Sequence, residues 1–420
     1  MESKLISRFL LLSFFLINFI PPLQDVLDTN TWKLFLFSIF NTFAITYFSL
    51  SKDFSSLVNN ILKTKLSIVV LLFILWAAIS YIYAINPTEV FVKILMVVNF
   101  FLFLINLSVV LSYNKFSFLT TSKIITIFFI AQLFFSYINY FTLIEYKPYT
   151  FEENYLLQGI YNNRNVTSAL YLLQLPFVVY IVLETKSVFI KIISYIISFA
   201  AAYMIFLLAS RTAYVIITVL LLSILIISFL KEKKLKNLFN GYVGNFFGIV
   251  LSAYIFSSIS LGSDNTANAI NRIQTIDFEE TSTNTRLRYY SYGFEHFLSN
   301  PLIGVGYGSW KIKSIDYDKE NIISYIIPYT MHNDFLEVAV ELGLIGFILF
   351  ILIFLLPSIH LYNLFRKFKS PIYITLASSL LVYLIDSNIN FPFIRISSIF
   401  YIALVISIIY SLKISPNENS

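Results

Sequence analysis

Residues 262–346 hold the one long hydrophilic interval of the chain. It reads Thr285-Arg286-Leu287-Arg288, then Pro301-Leu302-Ile303-Gly304-Val305-Gly306-Tyr307-Gly308, then Met331-His332-Asn333-Asp334, running into Glu341-Leu342-Gly343-Leu344-Ile345-Gly346. On either side lie apolar runs. A membrane-crossing helix needs roughly 20 apolar residues, and such runs fall near 5–23, 33–50, 66–84, 90–112, 123–144, 165–183, 190–208, 212–230, 245–261, 335–356, 372–386 and 396–413. Open sheet edges have no hydrogen-bond partners in lipid, so the spans are helical. The expectation is an all-α polytopic membrane protein of about twelve transmembrane helices. Along the chain it divides into an N-terminal transmembrane bundle (1–261), a large outer loop (262–333) and a C-terminal set of helices (334–420).

Composition agrees. The 420 residues are 58% hydrophobic and 12% charged, with 44 Phe and 29 Tyr, whereas a soluble domain carries about 25% charged residues. The net charge of +6 does not argue for nucleic acid, because it is laid out as a topology signal. With the N-terminus in the cytoplasm, the inner segments hold Lys4 and Arg8; Lys52, Lys63 and Lys65; Lys115 and Lys123; Lys186 and Lys191; Lys231, Lys233, Lys234 and Lys236; Arg366, Lys367 and Lys369; and Lys413. The short outer loops hold Lys33, Lys93, Lys147, Arg164, Arg211 and Arg395. This asymmetry places both termini inside and the large loop outside. The first apolar run ends at Pro21-Pro22 without a small-x-small cleavage site, so it reads as a retained span. Cysteine is absent, which excludes a disulfide framework and a thiolate metal site.

Within the loop, residues 281–285 offer helix caps, and Pro301 stops a helix of about five turns. Leu287, Tyr290, Phe294 and Phe297 share a face at helical spacing, read as packing against the bundle. Arg286 and Tyr290 are neighbours at i, i+4. Gly304, Gly306 and Gly308 make a permissive turn, and Asp334 and Glu337 give an acidic start to the next span.

Four positions stand out chemically. Arg211 lies inside an apolar hairpin, where an arginine is expensive; it reads as functional or as a lipid-headgroup contact. Arg286 and Arg288 have the guanidinium fork that suits phosphate; their bland reading is solvated loop charge. On a helix the two lie about 200° apart, which favours Arg286 beside Tyr290. His332 stands just before a helix N-terminus, which disfavours imidazolium and suits a general base, or equally a capping role. Asp316-Tyr317-Asp318 reads as a solvated acidic turn rather than a metal site, and no metal or nucleotide motif is present.

These stretches follow Tyr161-Asn162-Asn163-Arg164-Asn165 and Leu208-Ala209-Ser210-Arg211-Thr212-Ala213 in order. Together they resemble the O-antigen ligase and polymerase superfamily of bacterial surface-polysaccharide enzymes, over residues 159–346 by motif. The resemblance implies a GT-C-type helical membrane bundle in the inner membrane with a periplasmic active site and no cofactor or metal. It implies a glycan donor on undecaprenyl diphosphate, and an acceptor that is lipid A-core for a ligase or a lipid-linked glycan for a polymerase. Carried over by motif, Arg211 and Arg286 hold the diphosphate and His332 activates the acceptor hydroxyl. Arg288, Arg164, Asn165, Tyr290 and Asn333 are the expected substrate-binding set. Tyr289 and Tyr290 stand where many relatives carry tryptophan. An Arg-x10-Gly pattern of some polymerases is missing, since Arg164 meets Leu175 and Arg286 meets Phe297; this favours a ligase over a polymerase. A flippase would show internal repeats and midplane ionisable residues, and neither is seen.

Overall fold

The computed structural model describes residues 2–20, 29–232, 241–274, 281–320 and 329–411. Pro21, Pro22, Lys233, Lys234 and Lys236 lie outside them, as do the side chains of Thr281, Ser282 and Thr283. The chain is an all-α polytopic membrane protein. Among the described residues, nine helices are long and apolar enough to cross a membrane, and Arg211–Ile226 and Ile396–Ser411 are shorter apolar helices. Each apolar run read from the sequence contains a helix among the described residues, the first being Glu2–Ile17; residues 21–23 and 412–413 of the runs lie outside the described residues.

The Cα positions divide the chain into two compact units. One comprises 1–115, 277–360 and 386–413; the other comprises 116–276, 361–385 and 414–420.

In the first unit the helix Pro87–Asn114 is the central post. Asn86 starts it, accepting from the backbone N–H of Thr88 at 3.1 Å and of Glu89 at 3.4 Å, and Pro87 fills the first turn, where no donor is needed. Its Phe103 ring packs on Phe14 (4.7 Å between centroids), Phe37 (4.8 Å) and Phe400 (5.0 Å). Three buried amides cross-link it to the helix Thr29–Leu50. Asn41 Nδ2 donates to Asn99 Oδ1 at 3.1 Å, and Asn106 Nδ2 donates to Asn41 Oδ1 at 3.2 Å. Such interhelical bonds are worth about 0.6 kcal/mol on average.

Lys93, assigned above to an outer loop, lies within this helix and is buried. Residue 93 already falls inside the apolar run 90–112, and the Asn86-Pro87 start sets the first turn earlier still, so the lysine is helical. It is neutralised on the spot: Nζ is 2.5 Å from Glu337 Oε1 and 2.9 Å from Glu341 Oε2.

Those two glutamates belong to the helix Asp334–Phe368, which is broken at Gly343 (φ 64°). The glycine-rich turn docks on the break. Val305 N donates to Val340 O (3.2 Å), Gly306 N to Glu341 O (2.9 Å) and Leu344 N to Pro301 O (2.8 Å). Trp76 Nε1 takes the Leu342 carbonyl at 2.9 Å. The approach is close enough that a Cβ on Gly304 (φ 69°) would stand 2.5 Å from the Glu341 backbone.

In the second unit the helix Arg164–Glu184 is the most enclosed span, with 94% of its apolar window buried. Asn163 caps it, accepting from Asn165 N at 3.0 Å and Val166 N at 3.2 Å. Gln174 Nε2 reaches Gln132 Oε1 on the helix Phe118–Ile144 at 2.8 Å, which pairs one donor and one acceptor that hydrocarbon could not.

Two substitutions test this frame by thermal unfolding in detergent. Gly304→Ala combines left-handed strain with overpacking and should cost about 2–4 kcal/mol. Lys93→Met strands two buried carboxylates and should cost about 3–5 kcal/mol, with part of the loss restored by adding Glu337→Gln.

Candidate functional site

The buried charges of the first unit reach the loop through backbone donors. Glu337 Oε2 accepts from Met331 N at 2.9 Å, and Glu341 Oε1 accepts from Trp310 N at 3.0 Å. Met331 and Trp310 share an apolar core with Tyr289 and Val340. The helix Thr281–Ser299 lies directly on Met331, because Gly293 has no side chain; a Cβ there would meet Met331 Cε at 2.6 Å. Residue 331 is therefore held from three sides, and His332 follows it.

His332 adopts a left-handed backbone (φ 58°), uncommon for a residue with a Cβ. The turn is locked by Tyr290, whose Oη donates to His332 O at 2.9 Å and lies 3.2 Å from Asn388 O. Asn333 is the helix cap, its Oδ1 accepting from Leu336 N at 3.0 Å. Asp334 Oδ2 accepts from Phe393 N at 3.0 Å and ties residues 390–395 to the same corner. The imidazole meets the Phe391 ring edge-on, 4.8 Å between centroids, and the Arg395 guanidinium lies 4.4 Å over the other ring centre. Asp386 is buried nearby and accepts from Asn390 Nδ2 at 2.6 Å.

The electrostatics follow from this crowding. Burial, reinforced by the Arg286 and Arg395 charges, lowers the His332 pKa to about 4, so the imidazole is neutral at ordinary pH. Nδ1 is buried without a hydrogen-bond partner. Arg286 is half-buried and makes no hydrogen bond or ion pair among the described residues. Burial lowers its pKa, against the pull of Tyr290 and Asp386. Tyr290 shifts up through burial. A neutral base and an unengaged cation thus share one corner.

Arg288 differs from Arg286 in the way the helical phase predicts. Its Nε is 2.6 Å and its Nη2 3.2 Å from the Asp318 carboxylate, a fork-to-fork pair. Asp318 is accordingly buried, and the solvated acidic turn read from the sequence holds only for Asp316. The face assigned to the bundle is split: Tyr290 and Phe297 pack against that core, while Leu287 and Phe294 are exposed and Tyr289, Gly293 and His296 point inward. The side carrying Arg286 is the one the protein core takes.

The remaining expected residues lie in the second unit and form their own cluster. The Phe151 ring is covered by Arg272 at 3.6 Å and Arg164 at 4.5 Å. Arg211 Nε donates to Arg272 O at 3.3 Å. Burial first, then the Arg211 and Arg164 charges, lower the Arg272 pKa to about 10. Ser210 Oγ donates to Asn165 Oδ1 at 2.7 Å, joining the two sequence motifs directly. Arg272, Asp386, Phe391 and Arg395 were not singled out by the sequence reading. An acid at the end of an apolar span is the signal that points to Asp386.

Residues 196–351 match the family model described as O-antigen ligase. The match covers 156 of the 420 residues and is a likeness to that family over this segment. It contains Arg211, Arg286 and His332, and the family supports a glycan-transferring enzyme of O-antigen assembly, ligase or polymerase in type, acting on lipid-linked glycans in a membrane environment. No curated protein matches the chain.

Since the His332 pKa is depressed below its usual 6.5, protonation is deferred to lower pH. Glycan-transfer kcat/KM in proteoliposomes should therefore stay flat as pH falls from 7 toward about 5 and drop only as His332 protonates, about one unit either side of its pKa covering most of the change. An inflection at 6.5 counts against His332 as the base in this state.

Proposed function

We propose that the protein transfers a glycan from a polyprenyl diphosphate carrier to a sugar hydroxyl, with ligation onto lipid A-core as the first reading. The observation that carries it is the neutral, partnerless imidazole of His332 beside the unengaged Arg286. The acceptor hydroxyl gives its proton to an imidazole nitrogen as its oxygen attacks the anomeric carbon. The carbon–oxygen bond to the diphosphate breaks and its electron pair leaves on the phosphate oxygen. A general base of this kind contributes about 10²–10⁴-fold, and a cation aimed at the growing charge about 10²–10³-fold.

Arg286 supplies positive charge to that leaving group; within the second unit, Arg164, Arg211 and Arg272 form a basic cluster of the kind that suits an anionic ligand. Asn165 buttresses Ser210 and Arg211, Tyr290 shapes the His332 turn, and Asn333 acts as its cap. We place the reaction at the periplasmic face of the inner membrane, with both termini cytoplasmic, on the basis of the lysine and arginine distribution. The missing Arg-x10-Gly pattern favours ligation over polymerisation.

Deletion in the native host, complemented with wild type or variants, tests the reading. Loss of a ligase leaves bare lipid A-core on gels while long lipid-linked chains accumulate; loss of a polymerase leaves core with a single repeat unit. His332→Asn suits the left-handed backbone, and with Arg286→Ala it should reduce transfer by about 10²-fold or more. Full complementation by both variants rules out the assignment.

A further inference from the structure

The helix Thr281–Ser299 turns its charged and aromatic side inward and an apolar stripe outward. Leu287, Phe294 and Leu298 are 47%, 57% and 61% exposed, and at 100° per residue they fall within about 40° of arc. Tyr289, Gly293 and His296 occupy the opposite, buried side. The stripe continues past the helix end into Leu302 and Ile303, which are 63% and 47% exposed. Exposed apolar residues scattered singly need no explanation, but a contiguous set on one face does.

The neighbours of the stripe identify its partner. Leu344 N donates to Pro301 O, and a Cβ on Gly343 would stand 2.3 Å from the Leu302 carbonyl carbon, so Leu302 and Ile303 abut the break in the helix Asp334–Phe368. From that break, Leu344, Ile345 and Ile348 present an exposed apolar side along a span suited to cross a membrane. Tyr83 Oη donates to Ile303 O at 2.8 Å, and Tyr83 directly follows the span Lys65–Ile82, whose last residue is wholly apolar and exposed. The stripe is thus continuous with the outer sides of two spans, and those sides have hydrocarbon as their natural solvent. Tyr81 and Tyr83 at the junction are the residue type that marks the boundary between hydrocarbon and water. Exposed Glu295, about 80° round the helix from Leu287, gives the stripe a charged border.

We infer that Thr281–Ser299 is an interfacial helix that lies on the lipid bilayer surface through Leu287, Phe294 and Leu298, with Leu302 and Ile303 as its deepest contacts. This is the arrangement of a monotopic amphipathic helix, built here into a polytopic chain. It sets Arg286 and Tyr290 at headgroup level, within one helix diameter of the acyl boundary, about 10–12 Å. The inference stands on burial and continuity, and it holds whichever glycan reaction the protein performs.

The chain has no cysteine, so single-cysteine variants report cleanly. Phe294→Cys, Leu298→Cys, Glu295→Cys and Ile345→Cys, each in the full chain, are spin-labelled and reconstituted in phosphatidylcholine–phosphatidylglycerol vesicles. Collision with oxygen is compared with collision with a water-soluble nickel chelate. The expected result is an oxygen-to-nickel ratio at 294 and 298 that matches 345 and is several-fold above 295. A ratio at 294 and 298 equal to that at 295 overturns the inference. So does dipolar broadening at 294 that vanishes on dilution with unlabelled protein, since the stripe would then be covered by a second copy of the chain.

Discussion

A lysine ammonium and two glutamates removed from water set the terms for the first unit. An isolated buried charge costs several kcal/mol, and only close, fully hydrogen-bonded pairing offsets it. Lys93 stands between Glu337 and Glu341, and each carboxylate uses its remaining oxygen on a backbone N–H, of Met331 or of Trp310. The network therefore reaches beyond its own helices. It fixes the residue before His332 and the first residue of the helix Trp310–Asp318 in one step, and it tethers the hydrophilic loop to the spans. A loop of this length would sample many conformations on its own; here its two key turns are anchored to charges that have nowhere else to go.

The chemistry of the corner follows from the same economy of partners. Arg288 is paired with the Asp318 carboxylate; Arg286, two residues earlier on the opposite flank, feels the Asp386 charge but makes no hydrogen bond or ion pair among the described residues. The positive field of Arg286 and Arg395, added to burial, keeps the imidazole unprotonated. A base that is already neutral needs no proton removed before it acts, and a cation that is not neutralised internally has its field available to a ligand.

How much of this was legible in the sequence depended on how local the physics is. Membrane spans are local: a run of apolar residues long enough to cross hydrocarbon is its own signal, and among the described residues each run holds a helix. The phase of Arg286 against Arg288 is also local, and it correctly separated the two. The partner of Lys93 is not local, since Glu337 lies 244 residues away, and a lysine near a span end reads by default as a loop charge. The helix Thr281–Ser299 shows a subtler limit. Periodicity says which residues share a face but not which medium that face meets. In water an apolar face has only the protein core to go to; beside a bilayer it has a second apolar solvent. Of the four residues grouped on one face, Tyr290 and Phe297 pack on the core as expected, whereas Leu287 and Phe294 are exposed.

The amide ladder joining Asn41, Asn99 and Asn106 contributes little stabilisation per bond, yet it has a geometric consequence. An apolar helix in lipid can spin about its long axis with small penalty, because every side of it is equally at home. Three amides that must meet face to face remove that freedom for the helix Pro87–Asn114. Lys93 sits less than two turns from Asn99 on the same rigid rod, so the ladder also sets the azimuth at which the ammonium emerges. In this reading the asparagines work as an alignment key, indexing a distant charge to the glutamates that receive it.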